Sequence, residues 1–309
     1  MRSDASLPSG VQVLERGWLS SNNVVLTGGD EGAALVDSGY YLHSDQTLAL
    51  VTQALQGQDL RFLVNTHLHS DHCGANAALQ AAYPALHTAI APGQAAAVRN
   101  WCAQTLSYTP TGQHCPPFRY DSLLTPGREQ RLGGKNWQIH AAPGHDTHAV
   151  LLFDPLHRVL ISADALWENG FGVVFPELDG ESAFDCVAAT LDLIETLRPA
   201  VVIPGHGKVF SDVPQSIERA RRRLDYFVKQ PARHRNYAGK VLLKFRLLEL
   251  QQVPTEALLA WACSTPYLQT LWQRFHAEQP IQDYVQGLLE QLIDAGAAAR
   301  QGPLVVNQN

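Results

Sequence analysis

The feature that most constrains this chain is the hexapeptide His67-Leu68-His69-Ser70-Asp71-His72, which directly follows the apolar run at residues 60–65. We predict that the apolar run is a strand. Side chains alternate along a strand, so the first two histidines of the hexapeptide should point to the same side. The turn that follows lets the carboxylate and the third histidine approach from a second direction. Nitrogen and oxygen donors that converge in this way suit borderline divalent metals such as zinc.

Three further strand-like runs each end in a potential metal ligand. Residues 137–141 are followed by Ala142-Pro143-Gly144-His145, and residues 158–163 are followed by Asp164. Residues 200–203 are followed by Pro204-Gly205-His206-Gly207. Loops that a rigid sheet holds in place often carry chemistry, so this repeated placement indicates a functional site.

With these motifs the chain resembles the metallo-β-lactamase-fold hydrolase superfamily in its di-metal form. The resemblance runs from Val36-Asp37-Ser38-Gly39 through the hexapeptide to Pro204-Gly205-His206-Gly207, roughly the first two thirds of the chain. It implies an α/β fold, a four-layered αββα sandwich with a helical C-terminal extension. Periodicity alone gives only mixed α and β structure.

The resemblance also implies a role for each residue of the motifs. One metal ion would be held by His67, His69 and His145, the other by Asp71, His72 and His206, and Asp164 would bridge the two. Asp37, at the D-x-G position, would orient the ligands, and His148 is a further candidate for such a role. We expect two divalent ions, with zinc favoured and iron or manganese as alternatives.

This ligand set predicts hydrolysis. Two metal ions about 3.5–4 Å apart can share a bridging hydroxide, because metal-bound water has a pKa of about 7. The hydroxide attacks carbon or phosphorus while the metal ions collect the developing negative charge. Asp71 and Asp164 are the predicted catalytic residues, and Asp71 could also relay a proton to the leaving group.

The substrate is less constrained than the reaction. The hexapeptide with Gly74-Ala75-Asn76 resembles glyoxalase II, which hydrolyses S-acylglutathione thioesters. However, Pro204-Gly205-His206-Gly207 departs from the C-G-H-E-Y-like segment of that enzyme, and we find no counterpart of its basic glutathione-binding tail. We therefore expect cleavage of a thioester, ester or lactone of a small substrate, which could be anionic. The alternatives are a metal-dependent nuclease or phosphodiesterase and a mono-iron glutathione persulfide dioxygenase, whereas a non-catalytic binding protein should have lost ligands.

Composition favours an enzyme of the cytoplasm. The chain has 309 residues, 45% of them hydrophobic, which is enough for a sizeable core and an accessory piece. Its net charge of −6 does not favour general nucleic-acid binding. No apolar run reaches the roughly 18 residues of a membrane span, and the first six residues lack the apolar segment of a secretory signal. Five widely spaced cysteines without a C-x-x-C indicate reduced thiols, and Cys73 should be a buried thiol, not a ligand.

Helical periodicity begins near residue 213. We predict a catalytic domain over residues 1–212 and a helical accessory domain over residues 213–309, whose end is similar to a winged-helix-like tail. Ten of the chain's 23 basic residues lie between Arg219 and Arg246. A solvated helix face is the favoured interpretation, and a funnel for an anionic thioester or contact with RNA are the alternatives. A homodimer through this region is left open.

Periodicity and turn signals also predict the individual elements. The predicted strands cover residues 11–14, 23–27 and 33–37, and the predicted helices cover residues 45–56, 71–82, 182–197, 215–229, 237–250, 256–263 and 281–295. Residues 94–132 fall outside this pattern. Their aromatic side chains, together with Trp167, Phe171 and Phe175, could line an apolar pocket, and ordinary core packing explains them equally well.

Overall fold

The computed structural model describes residues 6–308, so residues 1–5, on which the expected lack of a secretory signal rests, lie outside the described residues. The strands are β1 (Val11–Leu14), β2 (Asn23–Leu26), β3 (Ala33–Val36), β4 (Leu60–Asn65), β5 (His87–Ile90), β6 (Ser122–Leu123), β7 (Glu129–Leu132), β8 (Lys135–Ala141), β9 (Val150–Asp154), β10 (Val159–Ala163), β11 (Val201–Pro204), β12 (Gln252–Pro254), β13 (Ala298–Gln301) and β14 (Leu304–Asn307). The α-helices are α1 (Ser44–Leu55), α2 (Ser70–Cys73), α3 (Asn76–Ala82), α4 (Ala95–Arg99), α5 (Tyr108–Thr111), α6 (Phe175–Asp179), α7 (Ala183–Leu197), α8 (Val213–Lys229), α9 (Pro231–Leu250), α10 (Thr255–Ser264), α11 (Pro266–Phe275) and α12 (Ile281–Asp294).

The chain divides into two compact units. The first contains the residues up to Leu106 together with His114–Tyr226, and the second contains Ser107–Gln113 together with Phe227–Asn309. Helix α8 begins at Val213, and its residues up to Tyr226 belong to the first unit. The assignment of a catalytic and an accessory domain on either side of residue 212 stays a prediction.

Two sheets form the centre of the first unit. One sheet has the order β1-β2-β3-β4-β5-β6, with antiparallel pairing from β1 to β3 and parallel pairing from β3 to β6. The other has the order β11-β10-β9-β8-β7, and only its β10–β11 pair is parallel. Parallel pairing requires crossover connections, and helices α1 and α7 supply two of them.

Alternation along the strands explains the layers. In β2, Val24 and Leu26 belong to a core that also contains Trp137 and Ile161 of the second sheet, so these faces of the two sheets meet. Val25, on the opposite face of β2, packs in a separate core with side chains of α1 and α3. Helix α7 buries a face of its own that includes Leu191. The predicted α/β sandwich with four αββα layers is confirmed.

The predicted helix at residues 71–82 is wrong in one respect, because the structure has two short helices, α2 and α3, in its place. The interruption between α2 and α3 is caused by contacts with residues 38–41. The carbonyl of His72 accepts a hydrogen bond from the backbone N–H of Ser38 at 2.7 Å, and Ala75 donates its own N–H to Gly39 at 3.2 Å. A side chain at Gly74 would lie 2.5 Å from the backbone of Tyr41, so glycine allows this close approach.

The second unit combines helices α9 to α12 with a three-stranded antiparallel sheet of order β12-β14-β13. Lys244 of α9 donates hydrogen bonds to the carbonyl of Ala297 at 2.7 Å and to Oδ1 of Asn307 at 2.6 Å, which fastens the helix to the open end of the β13–β14 hairpin. Helix α11 has no counterpart among the predicted helices. None of the described helices has the length and the apolar run that a membrane crossing needs.

Candidate metal centre

The predicted ligands lie at or just beyond the ends of strands in both sheets. The hexapeptide follows β4, His145 follows β8, Asp164 follows β10, and His206 follows β11. Backbone hydrogen bonds fix the turn of the hexapeptide. His72 and Cys73 donate their N–H groups to the carbonyl of His69, at 2.9 and 3.2 Å, and Ser21 donates to the carbonyl of Asp71 at 2.9 Å. The sequence therefore places its polar side chains on a rigid turn.

The three histidines predicted to hold one metal ion, His67, His69 and His145, lie close together. Nδ1 of His69 lies 3.1 Å from Nε2 of His67 and 2.8 Å from Nε2 of His145. We call these residues the His67 group. Burial, and then the charge of His72, lower the pKa of His67 well below its usual value, and burial lowers the pKa of His145 to about 4. Both imidazoles are therefore neutral near pH 7, as metal ligands must be.

The other predicted ligands form a second cluster, which we call the Asp71 group: Asp71, His72 and His206. Oδ2 of Asp71 lies 3.0 Å from Nε2 of His206 and 3.9 Å from Nε2 of His72. Atoms of these three residues meet the distance requirement for holding a common metal ion, as do those of the His67 group.

Asp164 lies between the two groups. Its Oδ2 is 3.4 Å from Nε2 of His145, 3.5 Å from Nε2 of His72 and 3.9 Å from Nε2 of His206. Burial opposes the charge of this carboxyl, yet the imidazole of His72, followed by that of His206, holds its pKa well below the usual value. An ionised carboxylate in this position can serve both groups.

Asp37 supports the Asp71 group from outside. Its Oδ2 accepts hydrogen bonds from Nδ1 of His72 and from the hydroxyl of Thr66, both at 2.8 Å, and its Oδ1 accepts the Thr66 N–H at 2.9 Å. When Nδ1 of His72 donates to Asp37, the lone pair of the neutral ring lies on Nε2, which faces the other ligands. The structure thus places Asp37 against His72, one of the predicted ligands.

The surroundings of His72 fit a cation. Its Nε2 is buried and has no hydrogen-bond partner in the part of the chain that the structure describes. Despite burial, which favours the neutral ring, the carboxylates of Asp164, Asp37 and Asp71 raise the pKa of His72 well above its usual value. A buried nitrogen that lacks a partner and lies near the carboxylates of Asp71 and Asp164 is an environment that a bound divalent metal ion would satisfy.

His148 lies apart from these contacts. Its ring occupies the space beside Gly93, where a side chain at residue 93 would approach Nδ1 of His148 to 2.1 Å. Its backbone N–H donates to Oδ1 of Asp146 at 2.7 Å. A role for the His148 ring in orienting the ligands stays a prediction.

Three neighbours of the ligands were not foreseen as such from the sequence. Oδ2 of Asp146 lies 3.8 Å from Nε2 of His69, and the carbonyl of Val173 lies 2.5 Å from Nδ1 of His145. The indole N–H of Trp167 donates to Oδ1 of Asp164 at 3.1 Å. Asp146 directly follows the predicted ligand His145 in the chain, which was a signal that it lies near the site. Nothing in the sequence pointed to the carbonyl of Val173 or to the hydrogen bond of Trp167.

The aromatic side chains fall into two sets. Trp18 is 56% exposed and stacks on the ring of His206 with a centroid distance of 5.3 Å, and Trp167 meets the same histidine edge-on at 5.6 Å. Phe175 lies 5.8 Å from the ring of His69. By contrast, Phe171 is fully buried. Part of this aromatic set therefore borders the site, and part of it is core.

Three aromatic residues of the 94–132 segment pack in or against the core. Tyr108 and Phe118 are buried, and the ring of Trp101 packs edge-on against Phe118 at 5.4 Å. Within this segment, core packing accounts for these three residues.

Arginines of the basic stretch at residues 219–246 pair with acidic side chains of the protein. Arg221 pairs with Asp192 and Glu195, both at 2.7 Å, and Arg222 pairs with Glu218 at 2.6 Å. These pairs are exposed to solvent, which agrees with the favoured interpretation of a solvated helix face. Contact of this stretch with a substrate or with RNA stays a prediction.

Cys73, next to His72 in the chain, turns away from the ligands. Its thiol lies 3.3 Å from the carbonyl of His69 and 3.9 Å from the thiol of Cys115, and both cysteines are buried. The seven predicted ligands thus converge without a thiol.

A protein family and two known enzymes are similar to this chain. The family model described as "Metallo-beta-lactamase superfamily" matches residues 16–206. An acyl-coenzyme A thioesterase, MBLAC2 of Gallus gallus, is 26% identical over 219 residues, which are 64% of this chain and 77% of the relative. A hydroxyacylglutathione hydrolase of Anaeromyxobacter dehalogenans is 32% identical over 149 residues, and the match covers 48% of this chain and 47% of that enzyme.

A solved structure extends the likeness over both units. A beta-lactamase domain protein from Burkholderia ambifaria superposes with a TM-score of 0.60 at 20% identity, covering 98% of this chain and 94% of the other. At this identity, the likeness concerns the fold alone.

Proposed function

Because this chain belongs to the metallo-beta-lactamase superfamily, we propose that it is a di-metal hydrolase that cleaves a thioester, ester or lactone of a small substrate. The observation that carries the proposal is that seven side chains form three overlapping groups whose donor atoms lie close enough to hold metal ions. Two of these groups include His72, whose buried Nε2 lacks a hydrogen-bond partner among the described residues. Zinc is the metal we favour, because imidazole and carboxylate donors suit it, and iron and manganese are the alternatives.

The names of two relatives support a thioester as the bond that is cleaved. One is an acyl-coenzyme A thioesterase and the other a hydroxyacylglutathione hydrolase, so both act on acyl groups carried by a thiol compound. The chain spans less than half of the second relative, so glutathione itself is not part of the proposal.

The residues that would hold the metal ions are the His67 group for one ion and the Asp71 group for the other, with Asp164 shared between them. Bound there, divalent ions would lower the pKa of water and polarise the substrate's carbonyl oxygen. The chain's own contribution is to hold these donors in place. Trp167 donates to Oδ1 of Asp164, which leaves Oδ2 directed at the histidines of both groups.

Asp71 is the residue we propose for proton transfer. Although burial favours its neutral form, the imidazoles of His72 and His206 lower the pKa of Asp71, so the carboxylate is ionised near pH 7. It can take the proton that water loses when its oxygen forms a bond to the acyl carbon. As the carbon–sulfur bond breaks, Asp71 can pass this proton to the departing thiolate, which restores the carboxylate.

Three further predictions stand beside this function. The five cysteines are free, which supports the proposed cytoplasmic location, since reduced thiols are usual there. A homodimer through the helical region and a role of the basic stretch in binding an anionic substrate stay predictions.

The test is a substrate panel assayed with protein reconstituted with zinc, iron or manganese. It contains acyl-coenzyme A and acylglutathione thioesters, a carboxylic ester, a lactone, a phosphodiester, RNA and glutathione persulfide. We expect hydrolysis of a thioester, ester or lactone that chelation abolishes and metal restores. Cleavage of RNA or the phosphodiester alone would replace the proposal with a nuclease, and oxygen consumption with persulfide and one iron ion would replace it with a dioxygenase.

Asp71→Asn is the matched variant, because it keeps the size of the side chain and removes its capacity to take a proton. We expect it to retain a folded chain and to lose most of the turnover. Full turnover at full metal loading would remove Asp71 from the proposed proton transfer.

A further inference from the structure

His206 differs from two other candidate ligands in how its ring is oriented. The outward nitrogen of His72 donates to Asp37 at 2.8 Å, and Nδ1 of His145 lies 2.5 Å from the carbonyl of Val173. Nδ1 of His206 is buried and has no hydrogen-bond partner within the described residues. Ligating histidines almost always use their second nitrogen to fix the ring. The orientation of His206 therefore has to come from elsewhere.

The backbone on either side of His206 is held by one side chain, that of Asn22. Nδ2 of Asn22 donates hydrogen bonds to the carbonyl of Pro204 at 3.0 Å and to the carbonyl of Gly207 at 2.8 Å. The backbone N–H of Asn22 donates to the carbonyl of Gly205 at 2.7 Å. Asn22 thus binds the carbonyl before His206, the carbonyl after it and that of Pro204.

The orientation of the Asn22 amide follows from its surroundings. Its Oδ1 accepts the backbone N–H of Arg16 at 2.9 Å, so the amino group has to face the two carbonyls. The reverse orientation would set oxygen against oxygen. Arg16 is itself held by Asn23 at 2.6 Å and by Thr47 at 3.0 Å, and Asn22 is only 3% exposed. The bracing side chain is therefore itself fixed in place.

The loop is also held on the side that faces Asp164. Gly205 donates its N–H to the carbonyl of Ala163 at 2.7 Å, and a side chain at Gly205 would come within 2.2 Å of Oδ1 of Asp164. The loop is thus held between Asn22 and the strand end that carries Asp164. A loop released from Asn22 could move away from Asp164, and His206 would move with it.

We propose that Asn22 is a positioning residue for His206. By holding the backbone on both sides of this histidine, it keeps Nε2 directed at Asp71 and Asp164, a function that a hydrogen bond to Nδ1 serves in other ligands. Trp18, stacked on the ring of His206, restricts the ring from its exposed face. This inference rests on the proposed metal centre, and it assigns a role to a residue outside the ligand motifs.

The test measures metal binding with Asn22→Ala and Asn22→Asp. Alanine removes both side-chain hydrogen bonds to the loop. Aspartate has nearly the same size and keeps an acceptor for Arg16, but it sets a carboxylate oxygen against the carbonyls of Pro204 and Gly207. For both variants we expect one of the two ions to bind about 10–100-fold more weakly in titrations against a competing chelator, the effect usual for residues that orient ligands. The affinity for the other ion should equal that of the unaltered protein.

Gln80→Ala is the control. Gln80 is a buried amide of the same unit that makes an equivalent set of bonds, donating to Thr88 at 2.8 Å and to the carbonyl of Arg119 at 2.6 Å. None of its partners is a candidate ligand. We expect Gln80→Ala to lower the melting temperature while both ions bind with unchanged affinity.

Cobalt absorption spectra add a readout of geometry. We expect the spectrum of the Asp71-group ion to change in the Asn22 variants and to stay the same in Gln80→Ala. The inference is overturned if folded Asn22→Asp binds both ions as the unaltered protein does, or if Gln80→Ala weakens the same ion equally. Failure of the unaltered protein to bind two ions would instead overturn the metal centre on which the inference rests.

Discussion

The two halves of the candidate metal centre are built on different electrostatic principles. The His67 group consists of three imidazoles, and burial lowers the pKa of His67 and His145 so that both stay neutral. In the Asp71 group a carboxylate replaces one imidazole, and His72 lies among three carboxylates that raise its pKa well above the usual value. His67 and His145 offer neutral lone pairs, and the Asp71 group offers negative charge that a proton on His72 offsets.

This difference has a consequence for binding. A cation displaces no proton from His67 or His145 near pH 7, whereas a cation that enters the Asp71 group has to displace the proton of His72. The two groups share Asp164, so the first ion to bind also changes the charge that the second one meets. We therefore expect two ions of unequal affinity and unequal pH dependence.

The largest expected effect comes from the residue that both halves share. Asp164→Ala removes a carboxylate that lies within 3.9 Å of a histidine in each group. We expect kcat/KM for a thioester to fall about 10³-fold, because metal-based charge stabilisation is worth several kcal/mol. Metal content should fall together with activity.

Asp154→Asn is the control for Asp164→Ala. Asp154 is a buried carboxylate that pairs with His157 at 2.6 Å, and neither residue is a candidate ligand. We expect normal metal content in this variant. A kcat/KM of Asp164→Ala equal to that of the Asp154 variant would remove Asp164 from the proposed centre.

Asp37→Asn tests whether the Asp71 group can be weakened without affecting the His67 group. The substitution preserves the size of the side chain but weakens the acceptor that holds Nδ1 of His72. We expect binding of the Asp71-group ion to weaken about 10–100-fold, as is usual when a residue that orients a ligand is replaced. The His67-group ion should be unaffected, as measured by competition titration. Equal weakening of both ions would contradict the separation.

A pH titration of metal binding tests the same contrast. His72 carries its proton up to a pH well above 6.5, so the affinity of the Asp71 group should fall by up to about tenfold for each unit of pH decrease below that pKa. His145 takes up a proton only near pH 4, so the His67 group should keep its ion to lower pH. On acidification the Asp71-group ion should leave first, with about one proton taken up, measurable by calorimetry in buffers of different ionisation enthalpy.

The smallest effect is expected outside both groups. Arg222→Gln breaks an exposed ion pair with Glu218, and such pairs contribute about 0–1 kcal/mol. We expect thioester hydrolysis and metal content to change less than about twofold, within that range. A large rise in KM for an anionic substrate would instead assign this part of the basic stretch to substrate binding.

Local pattern was sufficient to predict which side chains come together at the candidate site. His145, Asp164 and His206 each follow a strand-like run, and their convergence was implied by a resemblance carried by short motifs. Strand β1 has the predicted bounds, and β2 and β3 end one residue earlier than predicted. These elements depend on alternation and turn residues within a few positions, which the sequence displays directly.

Features that depend on distant segments could not be predicted in the same way. The break between α2 and α3 comes from hydrogen bonds with Ser38 and Gly39. Gly74 was the local sign of it, but a single glycine within a helical pattern does not by itself predict a break. Trp18 stacks on His206, and Asn22 hydrogen-bonds to the loop that carries His206. Both contacts join residues far apart in the chain. Helix α11 begins with Pro266, a residue that fits a first helical turn but also marks loops, so its pattern was ambiguous.

The central claim is that two ions bind this chain at two unlike groups joined by Asp164. Anomalous X-ray diffraction from crystals grown with zinc near pH 7.5 tests it directly. The account predicts two anomalous peaks, one contacting His67, His69 and His145 and the other contacting Asp71, His72 and His206, with the carboxylate of Asp164 between them. A single peak, or zinc bound elsewhere while these side chains keep their metal-free contacts, would contradict it.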